Sequence, residues 1–335
     1  MELHTRVHAR SLAAWGRTHP DSVVLSGDLT ASCEADEFRD TCPGQFISMG
    51  LAEQNMMSFA AGLAREGLRP LVHTFGVFMY RRALDQVEMS IACPNLPVRL
   101  FGFLPGVTTP GGASHQSTND IAVLRSLPNM TILETGDATD VESILPVADS
   151  IDGPVYCRML RGALPRLFPH EDPLRLGKAR ILSDGNDIAL LTSGICTEEA
   201  MRAVDVLRRN GVGIRHLHVT TLKPFDDADV MAACAGAALG VITMENHLRS
   251  GGLGSAVAEL IAEQRIDTRQ IRIGIDDTYM YGASPGHLMN RFSIDVPSLI
   301  RAVEELAGQR IEVSVDDINA ARTDTYYNEK QQEAL

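Results

Sequence analysis

The sequence predicts an α/β protein of two domains, each a mainly parallel sheet flanked by helices. Short apolar runs alternate with amphipathic helical segments along almost the whole chain. Its 335 residues suit two domains at roughly 100–200 residues each. A stretch rich in proline and charge, 164–178, interrupts the alternation midway, as a linker would.

Ser22–Ser26 (SVVLS) reads as a strand ending at Gly27-Asp28, and 46–49 as a second short strand. Residues 52–65 have helical spacing, with Ala60, Ala61 and Gly62 on a close-packing face. A strand over 71–75 leads into a helix reaching about Ala92. Strands over 98–103 and 130–134 flank a Gly/Pro-rich loop, 105–114. A helix over 141–149, containing Pro146, precedes a strand at Val155–Met159. In the second unit, strands over 187–192, 214–219, 239–244 and 271–275 alternate with helices over 197–210, 226–235, 254–263 and 298–308. The expected organisation is a first domain over 1–170, a linker over 171–185, a second domain over 186–310 and a polar tail over 311–335. In parallel sheets, function gathers at the carboxyl ends of the strands.

A formal net charge of −13 argues against nucleic acid and anionic membrane surfaces as partners, because both need clustered Lys and Arg. The six cysteines form no C-x-x-C pair and no metal-ligand spacing, which fits reduced thiols in a cytoplasmic protein. The first ten residues are polar, unlike a signal peptide, and no apolar run reaches the roughly 18 residues needed to span a membrane.

Three segments carry candidate chemistry. In Gly50-Leu51-Ala52-Glu53-Gln54-Asn55-Met56 a carboxylate follows a strand and enters a helix. Helix N-termini favour anions, so capping alone would account for it. The second segment runs from His73 to Val87 and sets Phe75 and Phe78, three apart, before Asp85-Gln86-Val87. The third is Pro110-Gly111-Gly112-Ala113-Ser114-His115-Gln116, followed by residues 124–130.

In order and spacing these segments resemble the pyrimidine-binding domain of the transketolase family. The likeness extends to Thr5-Arg6 and Ser26-Gly27-Asp28-Leu29-Thr30. It continues in the second domain at Thr192-Ser193-Gly194, Thr221-Leu222-Lys223-Pro224-Phe225-Asp226 and Gly251-Gly252-Leu253-Gly254, so it covers nearly the whole chain.

The resemblance implies thiamine diphosphate as cofactor and transfer of a two-carbon ketol unit from a ketose to an aldose-type acceptor. Glu53 matches the glutamate bonded to N1′ of the aminopyrimidine, the contact that lets the cofactor's own amino group act as base. A carboxyl in a dry pocket can share a proton with that nitrogen at neutral pH. Phe75 and Phe78 match aromatics that pack on the pyrimidine, although as residues alone they could be plain core. Asp28 matches a residue near the thiazolium side; otherwise it caps its turn. His115 matches a residue of the substrate channel, able to hold a hydroxyl or relay a proton. Arg6, Ser32 and Arg161 fall where the family holds a substrate phosphate, and each could instead serve a structural contact.

Several positions depart from the family pattern. Arg81 stands where a third aromatic is common. Gly102-Phe103-Leu104-Pro105 lacks a phosphate-touching His, and Gly111 replaces an Asp that reads a substrate hydroxyl. Losing such a reader weakens discrimination at that carbon, so a non-standard sugar is expected. The family's Gly-Asp-Gly and downstream Asn, which hold Mg²⁺ and the diphosphate, have no counterpart here, since Leu29 follows Ser26-Gly27-Asp28. Mg²⁺ and the diphosphate contacts are therefore expected from a separate N-terminal subunit, with the cofactor shared in an α2β2 assembly. The β subunit of a 2-oxo acid dehydrogenase, with the same architecture and glutamate, is an alternative, as is a non-catalytic stabilising subunit. The glycines at 251–254 could cradle a phosphate, but the resemblance points to assembly.

Overall fold

A computed structural model describes residues 3–314, 316 and 317; most of the expected tail, from 318 on, lies outside the described residues. The first sheet has seven strands, in the order Thr221–Lys223, Thr131–Glu134, Val155–Met159, Arg99–Phe103, Arg69–Phe75, Ser22–Ser26 and Phe46–Ser48. All its pairings are parallel except that of Thr221–Lys223. Ser22–Ser26, Arg99–Phe103 and Val155–Met159 are buried throughout, as a sheet covered on both faces requires.

The helix Val7–Thr18 packs beside Asp36–Thr41 and Ala138–Asp149, while Glu53–Arg65 packs beside Val87–Ala92. Gly16 permits the first of these contacts, because a Cβ there would lie 2.4 Å from the Phe38 ring. The second sheet runs Gln270–Ile275, Gly240–Leu248, Ile188–Thr192, Ile214–His218 and Arg180–Ser183, with only the last strand antiparallel. No helix among the described residues is long and apolar enough to cross a membrane.

Local structure differs from expectation at several places. Ala60, Ala61 and Ala64 form the buried small-residue face of their helix, whereas Gly62 is exposed. The expected helix to Ala92 is two widened, π-type turns, Phe78–Arg82 and Val87–Ala92, around a short helical piece at Leu84–Gln86. Such widened turns often sit at functional sites. The helix Val7–Thr18 escapes the sequence pattern because its buried stripe is made of Val7, His8, Ala9, Leu12, Ala13 and Gly16, only two of them large and apolar. Arg180–Ser183, inside the expected linker, adds an edge strand to the second sheet. Ala163–Pro165 pairs with Leu3–Thr5 in a separate two-stranded sheet.

Buried polar groups join the two sheets. Arg158, fully buried, donates from Nε to Asp120 Oδ2 (2.9 Å) and from Nη1 to Glu134 Oε1 (2.5 Å). Its Nη2 donates to the carbonyl oxygens of Ser117 (2.8 Å) and Asn246 (2.9 Å), one from each half of the chain. Burial alone would raise the Asp120 carboxyl, but Arg158 holds it below its ordinary value. A second chain of contacts runs from Asp140 through His218 and Thr197 to Thr192 and His216.

Candidate functional site

The candidate residues follow the carboxyl ends of neighbouring strands in the first sheet. Phe75 ends Arg69–Phe75, Asp28 lies two residues past Ser22–Ser26, and Arg161 two past Val155–Met159. Glu53 opens its helix after Phe46–Ser48. This is the edge where a parallel sheet exposes its connections to a ligand.

Glu53 is 1% exposed, and no side chain caps its helix. Its partner is Arg82, whose Nη1 donates to Oε1 at 2.9 Å and to Oε2 at 2.8 Å. The Arg82 guanidinium also lies over the Phe78 ring, 4.4 Å from its centroid. Phe78 and Phe75 stack with centroids 6.0 Å apart and planes at 23°. The His115 ring meets both edge-on, at 5.8 Å from Phe78 and 6.2 Å from Phe75, and its Nδ1 lies 2.9 Å from Ser114 Oγ. The Arg161 guanidinium sits 5.6 Å from the Phe75 ring centroid and donates to the Ser32 carbonyl oxygen at 2.7 Å.

Contacts thus join Glu53, Phe78, Phe75, His115, Arg161 and Ser32 into one cluster. Arg6 pairs with Asp36 at 2.5 Å where the chain turns left-handed into its first helix. Asp28 is exposed at the same edge of the sheet.

The loop bearing His115 is clamped from several sides. Arg81 donates to the carbonyl oxygens of Ala113 (2.5 Å) and Gln116 (3.4 Å), so the position expected to hold an aromatic grips the loop on both sides of His115. Tyr80 beside it is buried and donates to Asn119 Oδ1 at 2.6 Å; burial pushes its phenol up to about 12. From the second domain, Asn246 pairs with the loop's backbone. Its Oδ1 accepts from Val107 N at 2.9 Å and its Nδ2 donates to the Pro105 carbonyl oxygen at 3.0 Å. Gly106 must be glycine here, since it has φ of 51° and a Cβ would fall 2.0 Å from Asn246 Oδ1. The stretch Gly102–Pro105, where a phosphate-touching His is absent, is buried throughout.

Arg82 and Asn246 are absent from the candidates that the sequence supplies. Arg82 had one available signal: it lies four residues after Phe78, on the same side of a helical turn, and a buried Glu53 needs a cation. Asn246 had none, because the loop it holds is 139 residues away in the chain. The glycines after Gly240–Leu248 do not form an open cradle. Glu245 fills the helix N-terminus they lead to, accepting from Leu253 N (2.7 Å) and Gly254 N (2.9 Å). Burial raises this carboxyl to about 7. Among the described residues, no three His, Cys, Asp or Glu side chains group so as to hold a metal ion.

Comparison with known proteins identifies the two domains. The family described as "Transketolase, pyrimidine binding domain" matches residues 5–166, and "Transketolase, C-terminal domain" matches 177–299. The transketolase family protein y4mN of Sinorhizobium fredii is 39% identical over 297 residues, covering 88% of this chain and 86% of that one. The 6-deoxy-6-sulfo-D-fructose transketolase subunit SqwH of a Clostridium species is 36% identical over 290 residues, covering 86% and 89%. The solved structure of a split gene transketolase, an inactive beta4 tetramer, superposes with a TM-score of 0.84 at 32% identity, covering 92% of this chain and all of that one. The chain therefore belongs to the transketolase family and carries its pyrimidine-binding and C-terminal domains.

Proposed function

We propose that this chain is one subunit of a two-subunit transketolase and contributes the pyrimidine side of a thiamine diphosphate site. The observation that carries the reading is Glu53. It is a buried carboxylate at the start of a helix, served by a flat cation stacked on Phe78, with Phe75 and His115 alongside. These residues suit an aminopyrimidine, which is flat, apolar on its faces and able to donate to a carboxylate at its edge.

Thiamine diphosphate would supply the carbanion chemistry of its thiazolium ring. Glu53 would bind the pyrimidine edge and hold a proton between its carboxylate and the ring nitrogen. Phe75 and Phe78 would orient the ring and exclude water. His115 would hold or relay a proton at a substrate hydroxyl. Arg161, with Ser32 and Arg6, would receive the anionic end of the sugar, and Asp28 would face the thiazolium side. Mg²⁺ and the diphosphate would be held by an N-terminal subunit, in an α2β2 assembly placed in the cytoplasm. The overlap with most of a transketolase subunit and with the whole of a split gene transketolase chain supports the two-chain reading.

The substrate is proposed to be a non-standard sugar with an anionic terminus. Gly111 leaves the hydroxyl-reading position without a side chain, and the related SqwH carries 6-deoxy-6-sulfo-D-fructose in its name. The test is reconstitution with the partner subunit, thiamine diphosphate and Mg²⁺. Ketol transfer would be assayed with phosphorylated and sulfonated ketoses and a range of aldehyde acceptors. Turnover is expected, and Glu53→Ala should abolish it. Unchanged turnover in that variant would instead support a stabilising subunit. A normal activity ratio with xylulose 5-phosphate and ribose 5-phosphate would sink the substrate assignment.

A further inference from the structure

We propose that Arg82 competes with the aminopyrimidine for one place on Glu53 and Phe78, so that cofactor binding exchanges one flat cation for another. The inference rests on the reading of Glu53 given above. Arg82 Nη1 reaches both Glu53 oxygens, and its guanidinium covers the Phe78 ring at 4.4 Å. A pyrimidine bonded to this carboxylate and packed on this ring would need the same two surfaces. A guanidinium and an aminopyrimidine protonated on its ring nitrogen share the relevant chemistry. Both are planar and cationic, with N–H groups at the edge and π faces suited to an aromatic.

The two partners differ in their freedom to move. The Glu53 side chain is 1% exposed and fixed on its helix, whereas the Arg82 side chain is 44% exposed. Arg82 can swing into solvent at small cost, while Glu53 has nowhere to go. A buried carboxylate left without a cation is strongly disfavoured, so release of Arg82 is favourable only as another cation arrives. The neighbouring arginines are otherwise engaged: Arg81 on Ala113 and Gln116, and Arg161 on Ser32. Arg82 therefore acts as a positioning residue. It holds the Glu53 carboxylate aimed, and it lowers cofactor affinity by competing for the same bond.

The experiment uses the assembled two-subunit complex with Arg82→Met, Arg82→Lys and Glu53→Gln. Equilibrium binding of thiamine diphosphate with Mg²⁺ is measured by calorimetry, and thermal melting with and without cofactor. Arg82→Met is expected to bind the cofactor roughly tenfold more tightly, the loss of one charge-assisted contact that must otherwise be broken. It should melt below the unaltered complex without cofactor and level with it when saturated. Arg82→Lys, which keeps the charge but not the plane, should fall between. If Arg82→Met binds equally or more weakly while Glu53→Gln is impaired, the exchange is overturned and the Glu53 reading stands. If Glu53→Gln binds and turns over normally, the Glu53 reading itself is overturned. Should Arg82→Met not fold, the Arg82→Lys affinity decides: unchanged or weaker binding overturns the exchange.

Discussion

Gly111 and His115 exclude a side chain from each other's space: a Cβ on Gly111 would lie 2.8 Å from His115 Cβ and 3.1 Å from its Cγ. A side chain at position 111 must therefore displace His115 or the backbone that carries it. Gly111→Asp is expected to lower kcat/KM of the reconstituted complex by roughly tenfold or more through a displaced His115. Steady-state kinetics with two acceptors differing at one hydroxyl check this. A variant with full activity and sharper discrimination would contradict it.

Asn246 ties the loop that bears His115 to the second domain, because its side chain pairs with the backbone on both sides of Gly106. Asn246→Ala strands the buried Val107 N–H and the Pro105 carbonyl, at a cost of about 1–3 kcal/mol. The denaturant midpoint should fall accordingly, and KM should rise as the His115 loop loosens. Asn246→Asp keeps the acceptor and loses the donor, so its stability should lie between the two. An unchanged KM in a folded Asn246→Ala complex would separate the second domain from the site.

His8 and His73 face each other through their Nε2 atoms at 2.9 Å, both fully buried beneath Phe101 and Phe103. Burial lowers His73 to about 4 and, with His73 beside it, holds His8 well below its ordinary 6.5. The unfolded chain takes up protons here below pH 6.5 and the folded chain does not. Stability from this pair is therefore complete above pH 6.5 and falls as pH drops towards 4, by up to about 1.4 kcal/mol per pH unit per histidine. Denaturant titrations of the wild type and His73→Gln between pH 7 and 4.5 should show a shallower decline in the variant. Parallel declines would show that the pair does not govern acid lability.

Much of the first sheet is legible from local pattern, because strands such as Ser22–Ser26 and Val155–Met159 carry short clusters of apolar residues and are buried throughout. The legibility of the site is of another kind. Glu53, Phe75, Phe78 and His115 stand out through motif order, and their convergence is visible only once parallel strands bring their carboxyl ends together. What pattern could not reach is pairing across long separations. Arg82 meets Glu53 over 29 positions, Arg158 meets Asn246 over 88, and Asn246 meets Val107 over 139. Such contacts leave no periodicity in the chain. The helix Val7–Thr18 was hidden for a different reason, an inward face in which Ala and His stand where larger apolar residues would announce it.

The strand Thr221–Lys223 has a consequence for how the molecule is divided. It lies within the region inherited as a C-terminal domain, yet it pairs with Thr131–Glu134 and closes one margin of the other domain's sheet. Units of descent and units of folding therefore do not coincide. A protein cut near residue 170 would release an N-terminal piece with a bare, hydrogen-bond-hungry margin open to any other extended chain. The halves of this molecule can be recognised separately, but they are physically one object.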